Sequence, residues 1–204
     1  MVLKTIGKVA VMLALGASLA GCIDASVDVE VTSATTAKTT LTQVMSADFY
    51  AMVKMSAEDK ENGETEKSAA FCVDGTLTEE KDGSATCTLS EEGPFATLGR
   101  LGEEKNAITF TPAGAGLVRV ALPTAQITNE LRGSQEIDAE TQQMLEAFFA
   151  GRTITIHIAG EAITETNLEL AKDKKSAEIV IPFLDLLNGS AELPEEFFAV
   201  VRTP

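Results

Sequence analysis

Three cysteines, one histidine and 31 carboxylates are the side chains of this 204-residue sequence that could do chemistry. Catalysis of the Ser-His-Asp kind needs an imidazole base, and His157 is the sole imidazole. No GxSxG, HExxH or SxxK pattern occurs after residue 21. A glycosidase pairs two carboxylates, but so many acids single out no pair. The EF-hand pattern is missing, and Gly114 and Gly116 are followed by Val118 and Arg119 where a phosphate loop needs more glycine or lysine. Cys72 and Cys87 are spaced too widely for a CxxC redox pair, and no histidine lies near them to complete a metal site. No catalytic residue, metal or cofactor is therefore expected. A net charge of -15 also excludes a nucleic-acid binder, because phosphate backbones require basic patches.

The opening residues are an address. Lys4 and Lys8 form a basic start, and Val9 to Leu19 is an eleven-residue apolar stretch, too short to span about 30 Å of hydrocarbon. Leu19-Ala20-Gly21-Cys22 follows and resembles the lipobox of bacterial lipoproteins. That resemblance implies cleavage before Cys22, a diacylglycerol on its sulfur and usually an acyl chain on its new amine. Two or more chains anchor stably where one holds marginally. The domains are then a signal peptide over 1–21 and one envelope domain over 22–204. Loss of two lysines leaves 14 basic and 31 acidic side chains, a net -17. The longest later apolar run, Ile179 to Leu187, contains Pro182 and Asp185, so a lipid anchor and no spanning helix is expected. In the resembled family an Asp after the cysteine favours the inner membrane. Ile23 stands there instead, which implies the outer membrane, facing the periplasm. Export makes a Cys72–Cys87 disulfide the natural use of the remaining pair, worth roughly 3 kcal/mol in the chain-entropy picture.

The elements that position these residues follow from periodicity. Val27, Val29 and Val31 alternate with polar residues over Ser26 to Ser33, the pattern of a half-buried antiparallel strand. Only about four residues then separate Cys22 from the sheet, a stand-off of roughly 10–15 Å. Lys38 to Met45 is its partner, and Ser46 can cap a helix carrying Phe49, Tyr50, Met52 and Val53. Glu58 to Lys67 reads as a charged loop. Phe71 to Phe95 reads as an acidic decoration stapled by the disulfide, in which a hairpin about Asp82-Gly83 would not set Cys72 directly opposite Cys87. Ala107 to Thr111 and Leu117 to Leu122 form a second hairpin.

Asp138 to Ala150 reads as the principal helix, its Thr141, Met144, Leu145, Phe148 and Phe149 on one face and Gly151 at its stop. Arg152 to Ile158, Ala162 to Leu170 and Ala177 to Ile181 continue as a meander, with Ile154, Ile156 and Ile158 inward and His157 outward. Phe183 to Leu187 is a short helical turn closed by Asn188-Gly189, and Phe197 to Arg202 is a final strand, with a helix as its alternative. The fold class is α+β: an antiparallel sheet against one principal helix.

Arg152 to Ile181, with its Ala159-Gly160 turn, Thr166-Asn167 and charged turn, is similar to the LppM-type bacterial lipoprotein domains, as is the Val-rich hairpin after the cysteine. Ala159 stands where that type has proline and Leu168 where it has a second glycine, and its tryptophan is absent. The likeness implies a sheet wrapping a helix, with lipid binding and no catalytic residues. Three functions are expected in turn. The first is a membrane-anchored, non-catalytic envelope lipoprotein that binds a protein partner or maintains the envelope. The second is a binder of lipid or another hydrophobic ligand, its cavity lined by Met144, Leu145, Phe148, Phe149, Phe197 and Phe198. The third is a hydrolase using carboxylates. The basic turn of Lys172, Lys174 and Lys175 is expected to face the anionic membrane.

Overall fold

Alternation of β-branched residues with short polar ones dominates this chain, and the computed structural model is accordingly mostly β. It describes residues 23–58, 71–72, 75–98, 108–124, 146 and 149–204, with backbone alone for residues 23 and 56–58. In chain order the elements are β1 (Ile23–Val31), β2 (Thr36–Met45), α1 (Ala47–Glu58), β3 (Thr76–Glu79), β4 (Ala85–Pro94), β5 (Thr109–Gly114) and β6 (Leu117–Pro123). They continue with β7 (Thr153–Ala159), β8 (Ala162–Thr166), β9 (Glu169–Leu170), β10 (Ser176–Pro182), α2 (Phe183–Leu187) and β11 (Glu196–Arg202).

The strands form two sheets where one was expected. A seven-stranded sheet runs β3-β4-β2-β1-β7-β10-β9, and a four-stranded sheet runs β5-β6-β11-β8. β1 lies at the centre of the larger sheet. It pairs antiparallel with β2 and parallel with β7, so the sheet is mixed and not wholly antiparallel. Inward residues of both sheets share one core: Val29, Ile156 and Ile158 from one side, Val120, Phe197 and Val201 from the other. Val and Ile suit these positions because a branched side chain packs well on a pleated, buried surface.

Three further expectations change. The expected meander after residue 152 is broken, because β7 pairs directly with β10 while β8 crosses to the other sheet beside β11. Side-chain hydrogen bonds cause the break. The Asn167 amide donates to the Glu196 carbonyl and accepts the Phe198 N–H, both at 2.8 Å, and the Thr166 hydroxyl accepts the Leu168 N–H. Such bonds offer the backbone an alternative to the ladder, and the chain turns back with Leu168 buried. Second, the stapled hairpin is no decoration: β4 pairs with β2 over ten residues and β3 closes the edge of the main sheet. Third, the principal helix is not well supported. Of Asp138 to Ala150, the described residues are Glu146, exposed, and Phe149 and Ala150, the first of them buried; the rest, Thr141 included, lie outside.

Gly160 shows how tightly the return from β7 is packed. A Cβ there would lie 2.2 Å from Cγ1 of buried Val201, a position only glycine fills without a shift.

Candidate functional site

Cys22 itself lies outside the described residues, but the strand it leads into begins with the next residue, Ile23. The expected spacer of about four residues is therefore absent, and the position that would carry lipid abuts the central strand. Ile23 is opposite Met45 in the β1–β2 register, so this end of the sheet also holds the end of β2 and the start of α1.

The start of β1 is braced by Asp24. Its Oδ2 accepts a hydrogen bond from Arg152 Nη1 and its Oδ1 one from the Thr153 N–H, both at 2.9 Å. Both carboxylate oxygens are used, one with a charge-assisted partner, and they tie β1 to the start of β7. Neither residue was singled out for this from the sequence. An acid two places after the cysteine and an arginine opening the alternating RTITIHI run were the only signals.

α1 closes the same end. The Ser46 carbonyl accepts the Tyr50 N–H, as its N-cap position requires, and Tyr50 packs with Met45 and Ala85 while its ring meets Phe71 edge-on at 6.1 Å. The Tyr50 hydroxyl donates to Glu79 Oε1 at 2.7 Å, and Lys54 Nζ reaches the same oxygen at 3.0 Å. The Tyr50 hydrogen bond, then the Lys54 ammonium, holds the Glu79 carboxyl below its usual range. That same bond, with burial second, raises the Tyr50 phenol. At the hairpin tip the Ser84 hydroxyl and N–H both donate to Asp82 Oδ1, which lowers that carboxyl as well. An open groove between α1 and the hairpin is lined by Asp48, Tyr50, Lys54, Met55 and Glu79.

Cys72 and Cys87 are joined, with their Cα atoms 5.5 Å apart. Leu77 is the residue opposite Cys87 in the β3–β4 register, so the disulfide ties strand to neighbouring loop, as the spacing implies.

Of the residues expected to line a cavity, Phe149, Phe197 and Phe198 are among those described. Phe149 stacks on Phe183 at 4.3 Å and Phe197 is fully buried, both within the main core. Phe198 points to the other side of β11, where the Arg119 guanidinium lies 4.2 Å above its ring. Met144, Leu145 and Phe148 lie outside the described residues. His157 faces outward, its Nδ1 3.3 Å from Asp28 Oδ1. Among the described residues there is no group of three His, Cys, Asp or Glu side chains placed to hold a metal.

No protein-family model matches the chain, and no curated protein does. One solved structure is similar: the folded domain of LppM from Mycobacterium tuberculosis, determined by NMR. It shares 10% identity at a TM-score of 0.49, over 90% of this chain and 91% of that one. Among the described residues no helix is long and apolar enough to cross a membrane.

The basic turn is not at the Ile23 end of the sheet. Lys172, Lys174 and Lys175 lie between β9 and β10, where Ser176 pairs with Ala159 and Ala159 with Glu30. That is the far end of β1 from Ile23, about 25 Å away at ~3.3 Å per residue.

Proposed function

We propose that this chain is a non-catalytic envelope lipoprotein, held to the outer membrane by acyl chains on Cys22 and serving a protein partner or the upkeep of the envelope. The observation that carries the reading is the union of two features at one point. A sequence resembling a lipobox ends at Cys22, and the central strand of the domain begins at Ile23, already braced by Asp24, Arg152 and Thr153. An anchor placed there would hold the whole sheet against the bilayer with no intervening tether.

The first reading is favoured over the other two by packing and by charge. A ligand cavity needs an open apolar lining, whereas Phe149 and Phe197 are packed as core. A carboxylate hydrolase needs one acid with a raised pKa. Among the described residues, the carboxyls with a resolved shift, Glu79 and Asp82, are both lowered.

Metabolic labelling with a clickable fatty acid tests the proposal. The full chain is expected to take up the label and Cys22→Ser to take up none. Absence of label from the unaltered protein, or its retention in Cys22→Ser, would overturn it.

A further inference from the structure

Among the described residues, β1 alone joins the two parts of the larger sheet, with β3-β4-β2 on one side and β7-β10-β9 on the other. Its first residues are engaged on both flanks. Ile23, Asp24 and Ala25 stand opposite Met45, Val44 and Gln43 of β2, and Ala25 also stands opposite Ile154 of β7. Asp24 adds its two hydrogen bonds, to Arg152 and to the Thr153 N–H. Arg152 lies 128 residues beyond Asp24, so the second flank is supplied late in the chain.

We infer that lipid attachment and cleavage at Cys22 come before β1 docks into the sheet, and that docking closes the window for both. The inference rests on the anchored-lipoprotein reading and adds the order of events that the fold imposes on it. An enzyme acting at Cys22 has to hold the chain on either side of that residue. In the folded domain the residues that follow are already rungs of the ladder, from Ile23 onward. At ~3.4 Å per residue, no slack is left to carry Cys22 away from the sheet. Access therefore needs Ile23 to Ala25 released, which breaks the pairs with β2, the pair with β7 and both Asp24 bonds together. A strand held on both flanks opens far more rarely than a fraying terminus.

Two reactions meet this requirement. The Cys22 thiol displaces the phosphate headgroup of a glycerophospholipid: an S–C bond forms, a glyceryl C–O bond breaks, and the thiol proton leaves with the phosphate ester. Water then splits the Gly21–Cys22 peptide bond, leaving a carboxyl on Gly21 and an amine on Cys22. The two parts of the larger sheet then meet on a chain already modified. A precursor that folds first is locked out of anchoring.

Unprocessed full-length precursor, its disulfide formed, is given to bacterial inner-membrane vesicles that carry the acylating and cleaving enzymes. Intact mass spectrometry follows diacylglyceryl addition and loss of residues 1–21. One sample is folded beforehand, with β1 amides protected in hydrogen exchange, and the other is diluted into the vesicles straight from urea. The folded chain is expected to be modified about tenfold more slowly, or slower still. A short Gly/Ser spacer inserted between Cys22 and Ile23, led by an added isoleucine so that the cysteine keeps its neighbour, is expected to bring the folded chain to the rate of the urea-diluted one. Equal rates for the two samples without the spacer, or a spacer that changes nothing, would overturn the order of events while leaving the anchor intact. A precursor modified in neither state would overturn both readings.

Discussion

Between the two sheets, Val29, Val120, Ile158, Phe197 and Val201 are closed off from water in one apolar core. Beneath α1 the buried residues are Met45, Tyr50 and Ala85, with Phe49, Val53 and Phe71 only partly covered. This small corner carries the Cys72–Cys87 disulfide, the Tyr50–Glu79–Lys54 network and the Asp82–Ser84 turn. The contrast follows from area. Each buried aliphatic side chain contributes roughly 1.5–3 kcal/mol, so a few residues cannot offset the entropy of ordering a helix and a hairpin. Covalent and polar links make up the difference. They stand at the end where the chain would meet its anchor, and there an apolar helix flank is left exposed.

The contrast can be broken from either side. Phe197→Ala empties the two-sheet core and is expected to cost about 3–5 kcal/mol by urea denaturation. A much smaller loss would mean that the sheets are not held by this core. Opening the disulfide, by Cys72→Ser with Cys87→Ser, is expected to cost about 3 kcal/mol, since it closes a 15-residue separation. Hydrogen exchange should then speed up in α1 and β3 while β11 stays protected. Uniform loss of protection would contradict a separately supported corner.

Asp24→Ala is expected to cost about 1 kcal/mol, because the pair with Arg152 is partly solvent-exposed. Its sharper readout is faster exchange of the Thr153 amide. The smallest effect concerns Tyr50, the only tyrosine, whose phenolate absorbance should titrate above the ordinary value of about 10. Glu79→Gln should return it toward that value. The sign for stability follows from the shifts. Glu79, lowered when folded, stabilises above its unfolded pKa and loses that as pH falls below about 4.5. Tyr50, raised when folded, stabilises below its unfolded pKa and loses that as pH climbs past about 10.

Strands with strict alternation were legible in the sequence, because period two sets which face is buried: Val27, Val29 and Val31 in β1, and Ile154, Ile156 and Ile158 in β7, all point inward. The α2 turn was legible from Asn188-Gly189, where Gly189 takes φ 66°. The parallel pairing of β1 with β7 was not, since alternation says nothing about which distant strand is the neighbour. Nor was the break at Asn167, which depends on tertiary hydrogen bonds to β11. Within the site, the cysteine pair was readable by elimination. The Asp24–Arg152 clamp was hidden because its members are 128 residues apart.

The central claim is that acyl chains attach directly to the head of the central strand. Intact mass spectrometry of protein extracted from membranes tests it most directly. The account predicts a chain of residues 22–204 with diacylglyceryl and acyl additions on Cys22. A chain beginning at Met1, unmodified and recovered in the soluble fraction, would contradict it.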